Sequence, residues 1–350
     1  MAKPKPISLA LQGGGAHGAF TWGVLDRLLE CGLLDIRAIT ATSAGAMNAL
    51  ALASGMAENG PDGARAALKF LWREISRRSA ALAVAAPPSA IEAMNPFTAW
   101  TPFNFASALS SFVSPYDLNP FDFNPLRDAI DRAIDFEAVA NSPIKLHIAA
   151  TNVETGRVRI FTGDEITLDA ALASACLPQT FKAVEIDGVP YWDGGYMGNP
   201  ALYPLIYSNA PGDFLLVLLN PLTRKGTPKT AGAIQDRLNE ISFNSALIGE
   251  LRAIAFVRRM LDENWLADRK RKEYRRINLH AIKGGEALRE LSLESKFDTR
   301  WTFLKQLRET GRSFADTWLE TCYDQVGKDS SVDVHGDFLE RQSGRALPPE

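Results

Sequence analysis

The first 57 residues alternate between two hydrophobic patterns. Ile7-Ser-Leu-Ala-Leu11 is a short apolar run that stops at Gln12 and enters Gly13-Gly14-Gly15, the signature of a buried strand feeding a tight loop. After Gly18, apolar residues recur at helical spacing (Ala19, Phe20, Val24, Leu25, Leu28, Leu29) and Gly32 closes the run. Ile36 to Thr42 predicts a second strand, and the small apolar residues from Ala44 to Ala57 predict a helix packed tightly on a sheet. Strand, glycine loop, helix, strand, serine turn, helix is a parallel βαβ unit, with a right-handed crossover by default.

Further along, Asp62 to Ser76 has helical character, and 80–125 is rich in Pro and Phe and poor in charge. That segment reads equally as a lid over an acyl-binding groove and as an irregular cap on the core. Ile144 to Thr151 and Arg157 to Thr162 alternate apolar and polar residues across Glu154-Thr-Gly156, which predicts a hairpin. Leu168 to Cys176 is a short small-residue helix halted by Pro178. Asp187-Gly188 marks a turn before Val189-Pro-Tyr-Trp192, which ends at Asp193-Gly194-Gly195, and Phe214 to Leu219 predicts another buried strand. Past Pro228 the chain turns charged and helical. Leu247, Leu251, Ile254 and Leu261 form one helix face, and Leu288 to Val326 continues in the same style. The expected fold is α/β, a mainly parallel sheet flanked by helices on both faces, with a mostly helical C-terminal extension over 226–350 packed on the core.

With 350 residues, 46% of them hydrophobic, the chain can bury a large core. A net charge of −3 and a pI of about 5.9 give no reason to expect a nucleic-acid partner. Cys31, Cys176 and Cys322 are an odd, widely spaced set, unlike a disulfide framework or a metal cluster, and fit a reducing compartment. Ile7 to Leu11 is shorter than the roughly 7–15 residues of a secretory core segment. The charge-poor stretch from Ala93 to Tyr116 is broken by Pro96, Pro102 and Pro115, so it falls short of the roughly 20 apolar residues of a spanning helix. A soluble, cytoplasmic protein is expected. Arg269-Lys-Arg-Lys272 with Arg275 and Arg276 reads as a solvated helix end, with transient contact to an anionic membrane surface as the alternative.

Three short pieces carry candidate chemistry. Gly13-Gly-Gly-Ala-His-Gly18 matches G-x-G-x-x-G, which serves dinucleotides when an acidic residue follows at the end of the second strand, about 20 residues on. Here that strand ends in Thr42-Ser43, and Asp35 precedes it. The same physics serves an oxyanion hole: glycines bring backbone N–H groups close to a site, and a helix N-terminus favours developing negative charge. Ala41-Thr-Ser-Ala-Gly45 is a near match to the nucleophile elbow G-x-S-x-G, with Ala41 in place of the first glycine and the Ala44 N–H as a further oxyanion donor. A nucleophile needs a base. Of His17, His147, His280 and His335, the last two fall in no evidently suitable loop, and His17 reads as a residue that shapes the glycine loop. Tyr191-Trp-Asp-Gly-Gly195 instead places an acid at a strand end. A free Asp is a weak base at neutral pH, but an apolar setting, to which Tyr191 and Trp192 would contribute, raises its pKa. Taken singly, the three pieces also read as a tight βα turn, a helix N-cap and an ordinary turn.

In this order the three pieces resemble the patatin-like phospholipase family, and Ser174-Ala-Cys-Leu-Pro-Gln-Thr-Phe181 and Gly198-Asn-Pro200 are similar to further blocks of it. The likeness runs from about Ile7 to Pro221; Ala41 is its departure. It implies a catalytic domain over 1–225 in which Ser43 is the nucleophile and Asp193 the base. The oxyanion loop is then Gly13, Gly14 and Gly15. It also implies a phospholipid, lysophospholipid or neutral acyl ester as substrate, with no metal or organic cofactor.

Overall fold

The computed structural model describes residues 3–85, 114–119, 122, 124–224, 226–265, 273–289, 291 and 293–339. Most of the expected lid, at 86–113, and the basic run at 269–272 lie outside the described residues.

Among the described residues eight strands form one sheet: β1 (Lys5–Leu11), β2 (Leu34–Thr42), β3 (Lys145–Asn152), β4 (Val158–Phe161), β5 (Val184–Ile186), β6 (Val189–Asp193), β7 (Asp213–Leu218) and β8 (Asn278–Lys283). Their order is β5-β6-β3-β2-β1-β7-β8, with β4 paired to β3 off this path. The pairs β1–β2, β1–β7, β2–β3 and β7–β8 are parallel, whereas β4, β5 and β6 join antiparallel. Strand β7 and the second half of β1 are covered on both faces and read as near-continuous apolar runs, whereas β2 carries Asp35 and exposed Arg37 before its buried half. In β7, Leu215 and Val217 enter one core cluster while Phe214, Leu216 and Leu218 enter the other.

Helices fill both faces. On one lie α1 (Gly18–Cys31) and α2 (Ala44–Ala85), which bury Phe20, Leu25, Leu50 and Leu68. Gly32 ends α1 in the left-handed conformation at φ 63°, the predicted cap. Helix α2 is broken at Asn59-Gly60, with Pro61 opening its second half; this matches the two helices predicted on either side. A short helix, α3 (Leu168–Ser174), packs beside β3. On the opposite face lies α4 (Ala231–Asp262), whose predicted inner residues Leu247, Leu251 and Ile254 pack with Phe214 and Leu279.

The chain after 226 also contributes a sheet strand, β8, and α5 (Trp301–Cys322), which lies on α1. Close approach is possible because Gly23 and Gly311 face backbone: a Cβ on Gly311 would stand 2.0 Å from the Phe20 carbonyl oxygen. The junction is tied by Asp26, which accepts from Arg65 at 2.9 Å, from Arg308 at 2.8 Å and from Arg312. Strand β8 was not predicted, because Asn-Leu-His-Ala-Ile-Lys is polar at both ends and gains its strand character from the edge of β7. Among the described residues, no helix is long and apolar enough to cross a membrane.

Candidate functional site

Strand β3 brings the candidate residues together. Along one edge it pairs with β4 from Ile148 to Thr151. On its other edge Ala149 faces Thr42, the last residue of β2, and the next residue, Ala150, faces Asp193, the last residue of β6. Because β2 runs parallel to β3 and β6 antiparallel, their C-terminal ends meet head to head. Ser43 follows directly after Thr42, so the turn to α2 opens beside Asp193.

Ser43 sits at φ 54°, a left-handed conformation that costs a serine roughly 1–3 kcal/mol and marks a tightly constrained turn. Its N–H donates to the Ser174 hydroxyl at 2.9 Å, and its carbonyl accepts from Met47 N at 3.0 Å as the first turn of α2 begins. The sharp turn presses the next residue but one onto β1: a Cβ on Gly45 would lie 2.3 Å from the Leu11 carbonyl oxygen. At position 41 the extra methyl is accommodated, since Ala41 is a fully buried β2 residue paired with Leu11 and Ile148.

Asp193 is held through its backbone and is 2% exposed. Its N–H donates to the Cys176 carbonyl and its own carbonyl accepts from the Thr151 hydroxyl, each at 2.8 Å. The carboxylate accepts from Gly195 N at 2.7 Å, and the Ser43 hydroxyl is a second donor to it. Burial pushes the carboxyl up to about 6, with those two donors pulling the other way. Cys176 and Tyr196 both feel its charge, and Phe243 of α4 stacks edge-on against Tyr196 at 5.0 Å. Cys176, Tyr196 and Phe243 thus gather around Asp193, whereas the Tyr191 ring packs edge-on against Phe161 at 5.5 Å. Burial pushes the Cys176 thiol up to about 12, as suits the core residue expected there.

The glycine loop is pinned from three sides. Gly13 N donates to Asn199 Oδ1 at 2.7 Å, and the Gly13 carbonyl accepts from Asn220 Nδ2 at 3.1 Å. The Gly13 N–H is thus already committed, which corrects its inclusion among the expected oxyanion donors. Asn199 is in turn placed by β2: Thr40 and Thr42 donate to the carbonyls of Ala201 and Gly198, each at 2.6 Å. The Gln12 side chain ties the ends of β1 and β7 to the middle of α4, accepting from Leu219 N and Asn220 N and donating to Asn244 Oδ1. From the third side, the turn Leu293–Phe297 closes over the loop. There His17 Nε2 meets Ser295 Oγ at 2.6 Å and Lys296 Nζ donates to Asn220 Oδ1 at 2.6 Å. Burial, then the nearby Lys296, lower His17 to about 3, so it is neutral and shapes the loop as expected.

The other histidines stand apart from this cluster. His280 lies between Asp213 and Ser331, at 3.1 and 2.9 Å, near the starts of β7 and β8, the opposite end of the sheet from Ser43. His147 pairs across β2 with Thr40 in a strand interior, and His335 is exposed in the short helix Val334–Asp337. A cavity of about 300 Å³ between Trp22, Asp26, Arg65, Lys69 and Arg308 belongs to the α1–α2–α5 junction and touches none of the candidate residues.

Ser174 and Asn199 were present in the sequence blocks without a role. Each does its work through a backbone N–H, of Ser43 and of Gly13, that no spacing rule connects to it.

The family model for Patatin-like phospholipase matches residues 9–206, more than half of the chain. No curated protein matches. Among solved structures, VipD from Legionella pneumophila is similar at 15% identity and a TM-score of 0.43, over 96% of this chain and 73% of that one. Full-length ExoU of the type III secretion system of Pseudomonas aeruginosa, in complex with SpcU, is similar at 17% identity and a TM-score of 0.33. That match covers 91% of this chain and 54% of its counterpart, so the chain spans little more than half of that structure. The family match begins in β1, before the glycine loop, and ends beyond β6, and on that extent the chain belongs to the patatin-like phospholipase family of lipid acyl hydrolases.

Proposed function

We propose that the chain cleaves acyl esters of lipids with Ser43 as nucleophile and Asp193 as its base. The observation that carries this reading is a buried carboxylate of raised basicity facing a serine hydroxyl on a strained strand-to-helix turn. An ordinary Asp is too acidic to take a hydroxyl proton at neutral pH; one near 6 is much better matched to the task.

In the proposed cycle Asp193 accepts the Ser43 proton as Oγ attacks the ester carbonyl. The N–H groups of Gly14, Gly15 and Ala44 face the developing oxyanion; those of Gly15 and Ala44 open helical turns and so have no partner within them. Collapse expels the alcohol, which takes the proton from Asp193, and leaves an acyl-Ser43 ester. Water, deprotonated by Asp193, attacks that ester; as the intermediate collapses the Asp193 proton passes to the departing Ser43 Oγ, and the carboxylic acid and free Ser43 are released. The substrate class is phospholipid, lysophospholipid or neutral acyl ester. Residues 1–225 form the catalytic domain, and the three free cysteines fit a cytoplasmic site of action.

A fluorophosphonate probe should label the protein at Ser43 on peptide mapping, and Ser43→Ala should abolish both labelling and hydrolysis of p-nitrophenyl esters. Hydrolysis that persists in folded Ser43→Ala protein would refute the proposal.

A further inference from the structure

The inner face of α4 is accounted for by Leu247, Leu251 and Ile254, and the opposite face is unusual. Positions 234, 238, 241, 245, 249, 252 and 256 recur at intervals of three and four and share that face. Isoleucine, leucine and isoleucine come first, then small residues at 245 and 249, then Arg252 and Phe256; none is acidic. Ile234, Leu238, Ile241 and Phe256 are between 44 and 55% exposed. An outward helix face ordinarily carries mixed charge. Acids of this helix are instead engaged elsewhere: Glu240 with Arg224 and Arg237, Glu250 with the N–H groups of Leu202 and Tyr203, and Asp262 with Arg276. At the far end exposed Trp265 packs edge-on against Phe256, with the Arg259 guanidinium, itself paired with Glu263 at 2.8 Å, over its ring. The same helix reaches the candidate site, because Phe243 packs on Tyr196 and lies 3.4 Å from where a Cβ on Gly195 would be.

We propose that this face of α4 docks the protein on an anionic lipid surface and thereby sets the site against its substrate. An apolar stripe interrupted by Arg252, with no acid among its positions from 234 to 256, is a composition that lies in a bilayer interface. A second copy of the chain is a poorer occupant. A symmetric contact through this stripe would bury exposed Arg252 against apolar side chains with no acid among the stripe positions to pair it, whereas anionic headgroups neutralise it. The purpose of the docking rests on the acyl-hydrolase reading; the docking itself does not.

Binding is best measured by flotation of the full chain carrying Ser43→Ala, so that vesicles stay intact. It should float with phosphatidylcholine–phosphatidylglycerol vesicles, less with phosphatidylcholine alone, and less as salt rises. Changing Ile234, Leu238 and Ile241 together to Gln should lower partitioning at least about tenfold. The thermal melt of that variant should stay unchanged, since all three positions are exposed. Arg252→Glu should weaken binding to the anionic vesicles alone. The proposal is overturned if the triple variant floats as well as its parent, or if the parent floats with neither vesicle. It is also overturned if the parent is a dimer that the triple variant dissociates. A parent that hydrolyses soluble esters yet never floats refutes docking alone; one that floats while the unsubstituted chain hydrolyses nothing refutes the catalytic reading alone.

Discussion

Replacing Asp193 by asparagine is expected to inactivate the protein and to make it more stable. The carboxyl is 2% exposed, and burial raises it from 3.8 to about 6 against the pull of the Gly195 N–H and the Ser43 hydroxyl. A carboxyl whose folded pKa lies above its unfolded value holds its proton more tightly in the folded state. Its full contribution to stability is therefore present below about 3.8, declines as pH rises, and is lost above about 6. A rise of about two pH units, at about 1.36 kcal/mol each, makes the loss about 3 kcal/mol. Asparagine keeps the shape without the charge: its oxygen can accept from Gly195 N, and its amide can donate to the Ser43 hydroxyl.

The substitution should therefore stabilise the fold by up to about 3 kcal/mol at pH 8 and by almost nothing near pH 3.5. Domains of 150–250 residues move by about 2–4 °C per kcal/mol, so a rise of several degrees is expected at the upper pH. Urea unfolding of both proteins at half-unit steps from pH 4 to 8 measures the difference directly. The reasoning is refuted if the variant is no more stable at pH 8, or if its advantage fails to shrink in acid. Either result would mean that ionised Asp193 is comfortable where it lies, and a comfortable carboxylate is a poor base.

Other expectations follow from the same contacts. With Asp193 as base, kcat/KM on a soluble ester should climb with pH to a plateau, half-maximal near pH 6, and an inflection above pH 7 would point to another group. Gly45→Ala places a methyl 2.3 Å from the Leu11 carbonyl oxygen and should cost about 3 kcal/mol or more in urea unfolding. Asn199→Ala leaves the buried Gly13 N–H without its acceptor, which should cost about 1–3 kcal/mol and lower kcat more than it raises KM. Asp26→Ala removes the acceptor shared by Arg65, Arg308 and Arg312 at the α1–α2–α5 junction, and because Glu30 and Glu309 still pair them it should cost about 1–3 kcal/mol. The wild-type contribution of Asp26 has the opposite pH sign to that of Asp193. Burial raises the Asp26 carboxyl, but the three guanidiniums outweigh it and hold it below its ordinary value, so this stability is present above about pH 3.8 and is lost as pH falls further.

What the chain shows directly is whatever depends on neighbours in sequence. Gly32 ends α1 because a left-handed residue is needed there, and Asp187-Gly188 turns β5 into β6 with positive φ at both residues. Strands β1, β2 and β7 are legible because each holds a short apolar run bounded by turn signals, continuous where both faces are buried, as from Phe214 to Leu218. Strand β8 is not, since its partner β7 lies 65 residues away, and a six-residue segment with polar ends carries no local mark of that edge. The cap on the glycine loop is hidden in the same way, because His17 and Ser295 are 278 residues apart.

The pair of candidate catalytic residues divides along the same line. That Ser43 ends one strand and Asp193 another can be read from each segment alone. That they meet cannot, because the meeting is a property of β3, whose edge is handed from β2 to β6 between Ala149 and Ala150. Nothing in Lys145 to Asn152 signals two successive partners on one side. Once they meet, the distance between the side chains is set by backbone register and by backbone hydrogen bonds at Ser43 N, Asp193 N and Asp193 O, none of which a substrate needs to displace. A carboxylate made basic by burial pushes against its own enclosure; here the enclosure is sheet backbone, which cannot yield without giving up the pairing of three strands. The basicity of Asp193 can therefore persist because the strand ends that hold it are part of the core.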